Sequence, residues 1–294
     1  MKIFIMGGSG VIGSYFVKSF TKENYEIRYS YYNNKPPYPS GIKLDIKDRS
    51  NTVKTLKKIQ PDLVIIATAL ANVDLCETNP SLAELINVEG TRNIVDGCKM
   101  INSKIVFIST SAVFNGKKHE YYENDKPQPT NIYGLTKLQG EKIIQESDLE
   151  FLILRTDQPY CWKEKWQHTN SVIRVIDNLK KNLRFKEIVD WYNMPTYVPD
   201  FINATKELIR KDLGGIFHLV GPDFISRYEW SQKVADIFHL KKELIKPINS
   251  LELKLPVKRN NVKLNNDKLL QKTGYRMIGV EEGLRKMEVE RHSF

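Results

Sequence analysis

A doubly wound α/β fold, with helices on both faces of a parallel sheet, is what this chain of 294 residues predicts. Three observations carry that expectation. Lys2 to Met6 is a short apolar run that ends in Gly7-Gly8-Ser9-Gly10-Val11-Ile12-Gly13, and a helical pattern follows to about Lys22. Strand-like and helix-like segments then alternate through the first half, which implies parallel strands joined by right-handed crossovers. Asp62 to Ala69, DLVIIATA, is almost wholly apolar, as in a strand covered on both faces.

In chain order, the glycine turn comes first. Gly8, Gly10 and Gly13 fit G-x-G-x-x-G, while Gly7, Gly10 and Gly13 fit G-x-x-G-x-x-G. Either spacing allows a tight turn, a close approach of backbone to a pyrophosphate, and a helix N-terminus facing the anion. Strand before and helix after supply the context a dinucleotide site needs, so Gly7, Gly10, Val11, Ile12 and Gly13 are expected at the cofactor. The next strand runs from about Tyr25 to Tyr31. Sites for a dinucleotide without a 2′-phosphate usually place an acid near this strand's end. Here Tyr31-Tyr32-Asn33-Asn34-Lys35 has none, and Lys35 suits a phosphate, which favours NADP(H) over NAD. Ile42 to Ile46 reads as the third strand, with Asp45 and Ile46 beside the adenine. Asp48 to Ile59 is an amphipathic helix, and Ala67, Thr68 and Ala69 close the fourth strand at the cofactor.

Pro80 to Met100 reads as one long helix carrying Asn87, and Lys104 to Thr110 as the next strand, ending in Ser109-Thr110-Ser111. Thr130 to Lys142, TNIYGLTKLQGEK, is helical, with Tyr133 and Lys137 one turn apart on one face. An ammonium beside a phenol should lower its pKa from the usual ~10. The pair would then deliver the proton that a ketone oxygen requires as hydride arrives. Taken alone, Y-x-x-x-K describes an exposed helix face equally well. The weight comes from convergence: the glycine turn, Asp45, the segment after Ala69 and Thr110 all fall at strand carboxyl ends, where such sheets bind ligands. Phe151 to Thr156 is the following strand.

Beyond Cys161 the pattern loosens. Trp162 to Trp166 reads as a charged, aromatic loop, and Thr169 to Asn182 and Pro199 to Arg210 as helices. Ser226 is placed to cap a helix reaching about His239. Trp191, Tyr192, Tyr197 and Tyr228 offer stacking surface for a base, although such aromatics more often serve as core. Arg227 and Arg259 are candidate diphosphate contacts, with surface salt bridging the alternative. The expected organisation is a dinucleotide-binding unit over 1–157. Residues 158–294 then form mainly a substrate-binding lobe, part of it returning to the first unit.

The formal charge of +10, from 45 Lys and Arg against 35 Asp and Glu, favours anionic partners such as nucleotides. The basic residues are spread along the chain, so nucleic acid is not expected. Cys76, Cys98 and Cys161 are spaced for neither zinc nor disulfides, which points to a reducing, cytosolic setting and no metal. No stretch approaches ~18 consecutive apolar residues, so no membrane helix is expected. The opening run reads as a first strand rather than a signal peptide.

Several segments together carry a resemblance: GGSGVIG at Gly7, ANVDLCETNP at Ala71, INVEGTRN at Ile86, FISTSAVFNG at Phe107 and PTNIYGLTKLQGE at Pro129. They continue in MPTYVPDF at Met194, GIFHLVGPDFISRYEWS at Gly215 and KRNNVKLNNDKLLQKTGY at Lys258. In order and spacing the chain resembles the extended short-chain dehydrogenase/reductase superfamily, whose fold is Rossmann-type. Within it, the chain is most similar to the dTDP-4-dehydrorhamnose reductase family, which includes the regulatory β subunit of methionine adenosyltransferase. The resemblance implies Tyr133 as general acid, Lys137 as the group that lowers its pKa and holds the nicotinamide ribose, and Thr110 on the substrate carbonyl. It implies Asn87 as a residue that orders the site, Gly7, Gly10 and Gly13 at the pyrophosphate, and Arg155 as structural. Ser111, Gln158, Thr196, Tyr197 and Arg259 would join Thr110 at the sugar nucleotide.

Two departures bear on the substrate. The family's reductases usually carry Asp where this chain has Ser111, and often an aromatic residue where it has Gln158. Related dehydratases carry an Asp-Glu pair at Ser111 and Ala112, so dehydration is not expected. The implied function is NADPH-dependent reduction of a 4-keto-6-deoxy sugar on a nucleoside diphosphate, and a homodimer is compatible with it. A cofactor-binding regulatory subunit without turnover, or a nucleotide-sugar epimerase, are the alternatives.

Overall fold

The structure, a computed structural model, describes residues 1–293. Its strands are β1 (Lys2–Met6), β2 (Glu26–Tyr31), β3 (Gly41–Lys43), β4 (Leu63–Ile66), β5 (Lys104–Thr110), β6 (Phe151–Thr156), β7 (Pro159–Tyr160), β8 (Phe185–Ile188), β9 (Tyr192–Asn193), β10 (Thr196–Tyr197), β11 (Gly215–His218), β12 (Ile225–Ser226) and β13 (Ile245–Ile248). The helices are α1 (Val11–Phe20), α2 (Arg49–Ile59), α3 (Val73–Thr78), α4 (Pro80–Ala83), α5 (Gly90–Lys99), α6 (Ile132–Gln145), α7 (Ser171–Lys180), α8 (Val198–Arg210), α9 (Arg227–Ile237), α10 (Asp267–Thr273) and α11 (Val280–Val289). Among these, none is long and apolar enough to cross a membrane.

Seven strands form the central sheet in the order β11-β6-β5-β4-β1-β2-β3, every pair parallel. Chain order reverses at β1, which opens a crevice between β1 and β4 at their carboxyl ends. The apolar strands are covered on both faces. On one side Phe16, Val17 and Phe20 of α1 meet Phe201, Ile202 and Leu208 of α8. On the other, Leu56 of α2, Ile94 and Val95 of α5, and Ile144 of α6 pack together. A third cluster joins α7, α9 and α11 through Val172, Ile176, Trp230, Val234, Leu284 and Met287, and forms the core of a smaller lobe. The later chain returns to the large sheet: α8 packs against α1, and β11 extends the sheet beside β6.

Three elements differ from the sequence expectation. The third strand is Gly41–Lys43, so Asp45 and Ile46 lie past its end. The fourth stops at Ile66, leaving Ala67 to Ala69 as the loop over the crevice. The expected long helix from Pro80 is interrupted. Its first turn, α4, is capped by the Asn79 side chain, and residues Glu84–Glu89 wind as a π-helix before α5 resumes. Such an extra residue per turn recurs at functional sites, and here it lies where Asn87 is buried.

One buried ion pair fixes α6 to the sheet. Arg155 of β6 donates from Nε to Glu141 Oε1 at 3.0 Å and from Nη2 to Oε2 at 2.6 Å, and both side chains are at most 2% exposed. Ser109 Oγ of β5 donates to the same Oε1 at 2.5 Å. Removing one member leaves a buried charge without its partner. Arg155→Met alone should therefore cost about 3–5 kcal/mol. The double variant Arg155→Met/Glu141→Leu, which removes both charges, should recover most of that loss in chemical denaturation.

Candidate active site

A cavity of about 520 Å³ opens where β1, β4, β5 and β6 end. Gly10, Val11, Ile12, Ala67, Thr68, Ala69, Thr110, Ser111, Tyr133, Lys137, Gln158 and Arg259 all line it.

At one end lies the glycine turn. Gly7 takes the left-handed conformation (φ +82°), and a Cβ on Gly13 would stand 2.1 Å from Gly7 O, so no side chain fits between turn and helix. Gly10 is the N-cap of α1, with no side chain bonding the helix's first N–H groups. Those free donors and the glycine cradle fit the pyrophosphate of a dinucleotide. The turn is held from both sides. Gly7 N–H donates to Ser30 Oγ at 2.9 Å. From the smaller lobe's loop, Trp166 Nε1 donates to Ser9 O at 3.2 Å. Gln167 Nε2 reaches Ser9 O and Gly10 O at 3.0 Å each, and Ser14 Oγ at 2.9 Å. Sequence reasoning missed this brace, because no local pattern links positions so far apart.

Near the middle of the cavity, α6 presents Tyr133 and Lys137. The helix is capped by Asn131, whose Oδ1 accepts from Gly134 N–H at 2.8 Å. A Cβ on Gly134 would lie 2.1 Å from Ala112 O. Glycine there lets the first turn of α6 seat on the 3-10 turn Ser111–Val113, directly after Thr110. Tyr133 is thereby hydrogen-bonded to the Thr110 side chain. Lys137 is buried, with Nζ 3.8 Å from the centre of the Phe107 ring. Asn87 is buried beside them rather than exposed on a helix. Its Oδ1 accepts from Leu70 N–H at 2.7 Å, and its Nδ2 donates to Leu70 O at 3.1 Å and Thr136 Oγ1 at 3.0 Å. It locks the loop after β4 to the helix that carries Tyr133.

The electrostatics correct one expectation. Lys137 does not bring Tyr133 below its ordinary value. Burial pushes Tyr133 up to about 12, with Cys76 and Asp157 adding to the effect and only the Thr110 hydroxyl opposing it. Burial likewise pushes Lys137 down to about 7 against the opposing pull of Glu141. Both groups lose more hydration than their neighbours replace.

Several expected residues lie elsewhere. Thr196 and Tyr197 are buried in β10, with Thr196 Oγ1 on Met194 O at 3.2 Å and Tyr197 OH on Glu290 Oε2 at 3.0 Å, so neither walls the cavity. Asp45 Oδ1 accepts from Lys47 N–H at 3.0 Å, and Ile46 is buried among the residues of α2 and α5. Lys35 is exposed on the loop between β2 and β3. Arg259 does line the cavity, where it pairs with Asp74 at 2.7 Å. Trp191 lines the cavity beneath two guanidinium groups, with Arg227 at 5.3 Å and Arg259 at 5.8 Å from its ring centre, which occupies the surface expected to stack a base. Tyr192 packs on Phe224, and Tyr228 on the small-lobe core.

Asp157 is a wall residue that sequence reasoning missed beside Gln158. It accepts from Ser111 Oγ at 2.9 Å and from Met194 N–H at 2.8 Å. Burial pushes its carboxyl up to about 6, partly offset by those two donors, by Arg227 and by the Gln158 backbone N–H. Gln158 sits at φ +39°, a left-handed conformation, and its Oε1 accepts from Arg227 Nη1 at 3.0 Å.

Lys137 makes stability depend on pH. Unfolded, it holds its proton up to its ordinary 10.5; folded, only up to about 7. Between those values unfolding takes up a proton, so raising the pH disfavours unfolding. Wild type should therefore gain stability relative to Lys137→Met as pH rises from about 7 to about 10.5, read as urea midpoints at stepped pH.

The whole chain is similar to known proteins. The bovine methionine adenosyltransferase 2 subunit beta is 27% identical over 296 residues, covering 96% of this chain and 87% of that protein. The dTDP-4-dehydrorhamnose reductase of Sinorhizobium fredii is 27% identical over 258 residues, covering 83% and 85%. Among solved structures, the dTDP-4-dehydrorhamnose reductase of Bacillus anthracis in complex with NADP superposes with a TM-score of 0.89. It shares 27% identity over 98% of this chain and 99% of that one. The model of the RmlD substrate binding domain matches residues 1–291, and the chain belongs to that family.

Proposed function

We propose that this protein is an NADPH-dependent reductase of a 4-keto-6-deoxy sugar carried on a nucleoside diphosphate. The observation that supports it is the gathering of Thr110, Tyr133 and Lys137 in the cavity that begins at the glycine turn of α1. The dinucleotide, when bound, supplies hydride to the keto carbon. The hydroxyls of Thr110 and Tyr133 are hydrogen-bonded to each other on the cavity wall, and both would donate to a carbonyl oxygen that gathers negative charge there. With its pKa near 12, Tyr133 keeps its proton at neutral pH and releases it only to an oxygen that has become strongly basic. Lys137, one turn further along α6 and on the same cavity wall, would add a positive charge or a donor. Asn87 keeps α6 and the loop after β4 in register while this happens. With neither acid nor base at Ser111 and Ala112, elimination of water has no matching pair there. The preference for NADPH rests on Lys35 and on the absence of an acid at the end of β2.

A second reading, a cofactor-binding regulatory subunit, is supported by the similarity to the bovine subunit beta along nearly the whole chain. NADPH oxidation with a panel of dTDP-, UDP- and GDP-linked 4-keto-6-deoxy sugars separates the two. Turnover is expected with one member; none, in a protein that binds NADPH, would favour the regulatory reading. Tyr133→Phe should lower kcat by about 10²–10⁴-fold with little change in NADPH affinity. Wild-type turnover in that variant would contradict the mechanism. Lys35→Glu should weaken NADPH binding while leaving NADH binding nearly unchanged, measured by nicotinamide fluorescence. An unchanged NADPH/NADH ratio would remove Lys35 from the cofactor site.

A further inference from the structure

The cavity wall where β6 ends carries several hydrogen-bond acceptors. Asp157 carries a carboxylate that accepts from Ser111 Oγ on one oxygen and from Met194 N–H on the other, with the Gln158 backbone N–H as a third donor. A carboxylate has about four acceptor positions, so one remains to offer. Among the described residues, no Lys or Arg side chain forms an ion pair with it. Asn193 immediately precedes Met194 and lines the same cavity. It is 3% exposed, and its Oδ1 has no hydrogen-bond partner among the described residues. Thr156 Oγ1, one residue before Asp157, is in the same condition. A buried acceptor without a donor costs about 1–3 kcal/mol, and a ligand that brings donors removes that cost.

The wall rejects some donors. A cationic ligand would meet Arg259, which lines the cavity, and the nearby charge of Arg227, whose guanidinium group also lies over the Trp191 ring. Neutral hydroxyl groups satisfy the acceptors without that repulsion. The remaining position on the Asp157 carboxylate and the unpartnered Asn193 Oδ1 together match two hydroxyls on adjacent carbons.

We propose that Asp157, assisted by Asn193, is the specificity-determining residue that selects a sugar ring with two adjacent free hydroxyls over one in which either is missing. This rests on the reading of the substrate as a nucleotide sugar, but not on turnover. Gln158 and Arg227 hold the strand end that presents Asp157: the Gln158 amide oxygen accepts from the guanidinium at 3.0 Å, which fixes the turn at its positive φ.

The test is calorimetric binding to the full chain saturated with NADP, using dTDP-, UDP- and GDP-glucose and the 3-deoxyglucose analogue of whichever binds best. Wild type is expected to bind the glucose form at least ~10-fold more tightly, as for a hydrogen bond to a charged group. Asp157→Asn should weaken the glucose form by a similar factor and leave the 3-deoxy form unchanged, so that the discrimination collapses. Asn193→Ala should reduce it by about 2–10-fold, and NADP affinity confirms that each variant is folded. Equal binding of both sugars by wild type, discrimination that survives in Asp157→Asn, or no binding of any sugar would each overturn the proposal. Discrimination without reduction of any keto sugar would instead count against the reductase reading and leave this inference standing.

Discussion

The placement of α6 depends on a guanidinium and a carboxylate that have both been taken out of water. Arg155 and Glu141 meet in bidentate geometry between β6 and α6, and Ser109 of β5 adds a third bond. Glu141 lies one turn beyond Lys137 and two beyond Tyr133, so clamping it sets the rotation of the whole helix. Such a pair contributes little to net stability compared with apolar residues of equal volume, because desolvation offsets most of its attraction. Its consequence is geometric. A helix packed on a sheet by apolar contacts alone can slide and rotate at small cost; one tied by two directional bonds cannot. Gly134 completes the arrangement by removing the side chain that would hold the first turn off Ala112.

The chemistry of the cavity follows from burial as much as from neighbouring charge. Lys137 rests on the face of Phe107 instead of beside a counter-ion, and Tyr133 faces Thr110. Burial acts in opposite directions on the two, down for the amine and up for the phenol, so both are biased toward their neutral forms. A neutral phenol retains the proton that the proposed reduction requires of it. The amine, with its pKa brought near neutrality, responds readily to a nearby negative charge.

The cavity is assembled from both lobes. Gln167 and Trp166 reach from the smaller lobe to the carbonyls of the glycine turn. Met194 N–H binds Asp157 at the end of β6, and Arg259 reaches Asp74 on α3. These bonds couple the position of the smaller lobe to the geometry of the turn at one end and of the polar wall at the other.

The sequence by itself determined the strand order's parallel character, the glycine turn, and the face shared by Tyr133 and Lys137. These depend on period and on residue type within a few positions, and that information is local. Gly10, Ala67, Thr110 and Tyr133 were legible as residues that would line one cavity, because each falls at the carboxyl end of a strand or on a helix beside one. Only the tertiary structure decided the rest. Thr196 and Tyr197 lie near the site in sequence motif, yet the pairing of β10 with β7 and the packing of α11 bury them away from it. Asn87 was expected to order the site, but its bonds to Leu70 and Thr136 from the π-helical turn come from the tertiary packing. Asp157 passed unremarked, since its environment is made by Ser111 and Met194, 46 and 37 positions away. The direction of the Tyr133 shift was also a tertiary outcome. Spacing places the ammonium one turn away, but the loss of water around both groups depends on everything packed over them, and no local pattern encodes that.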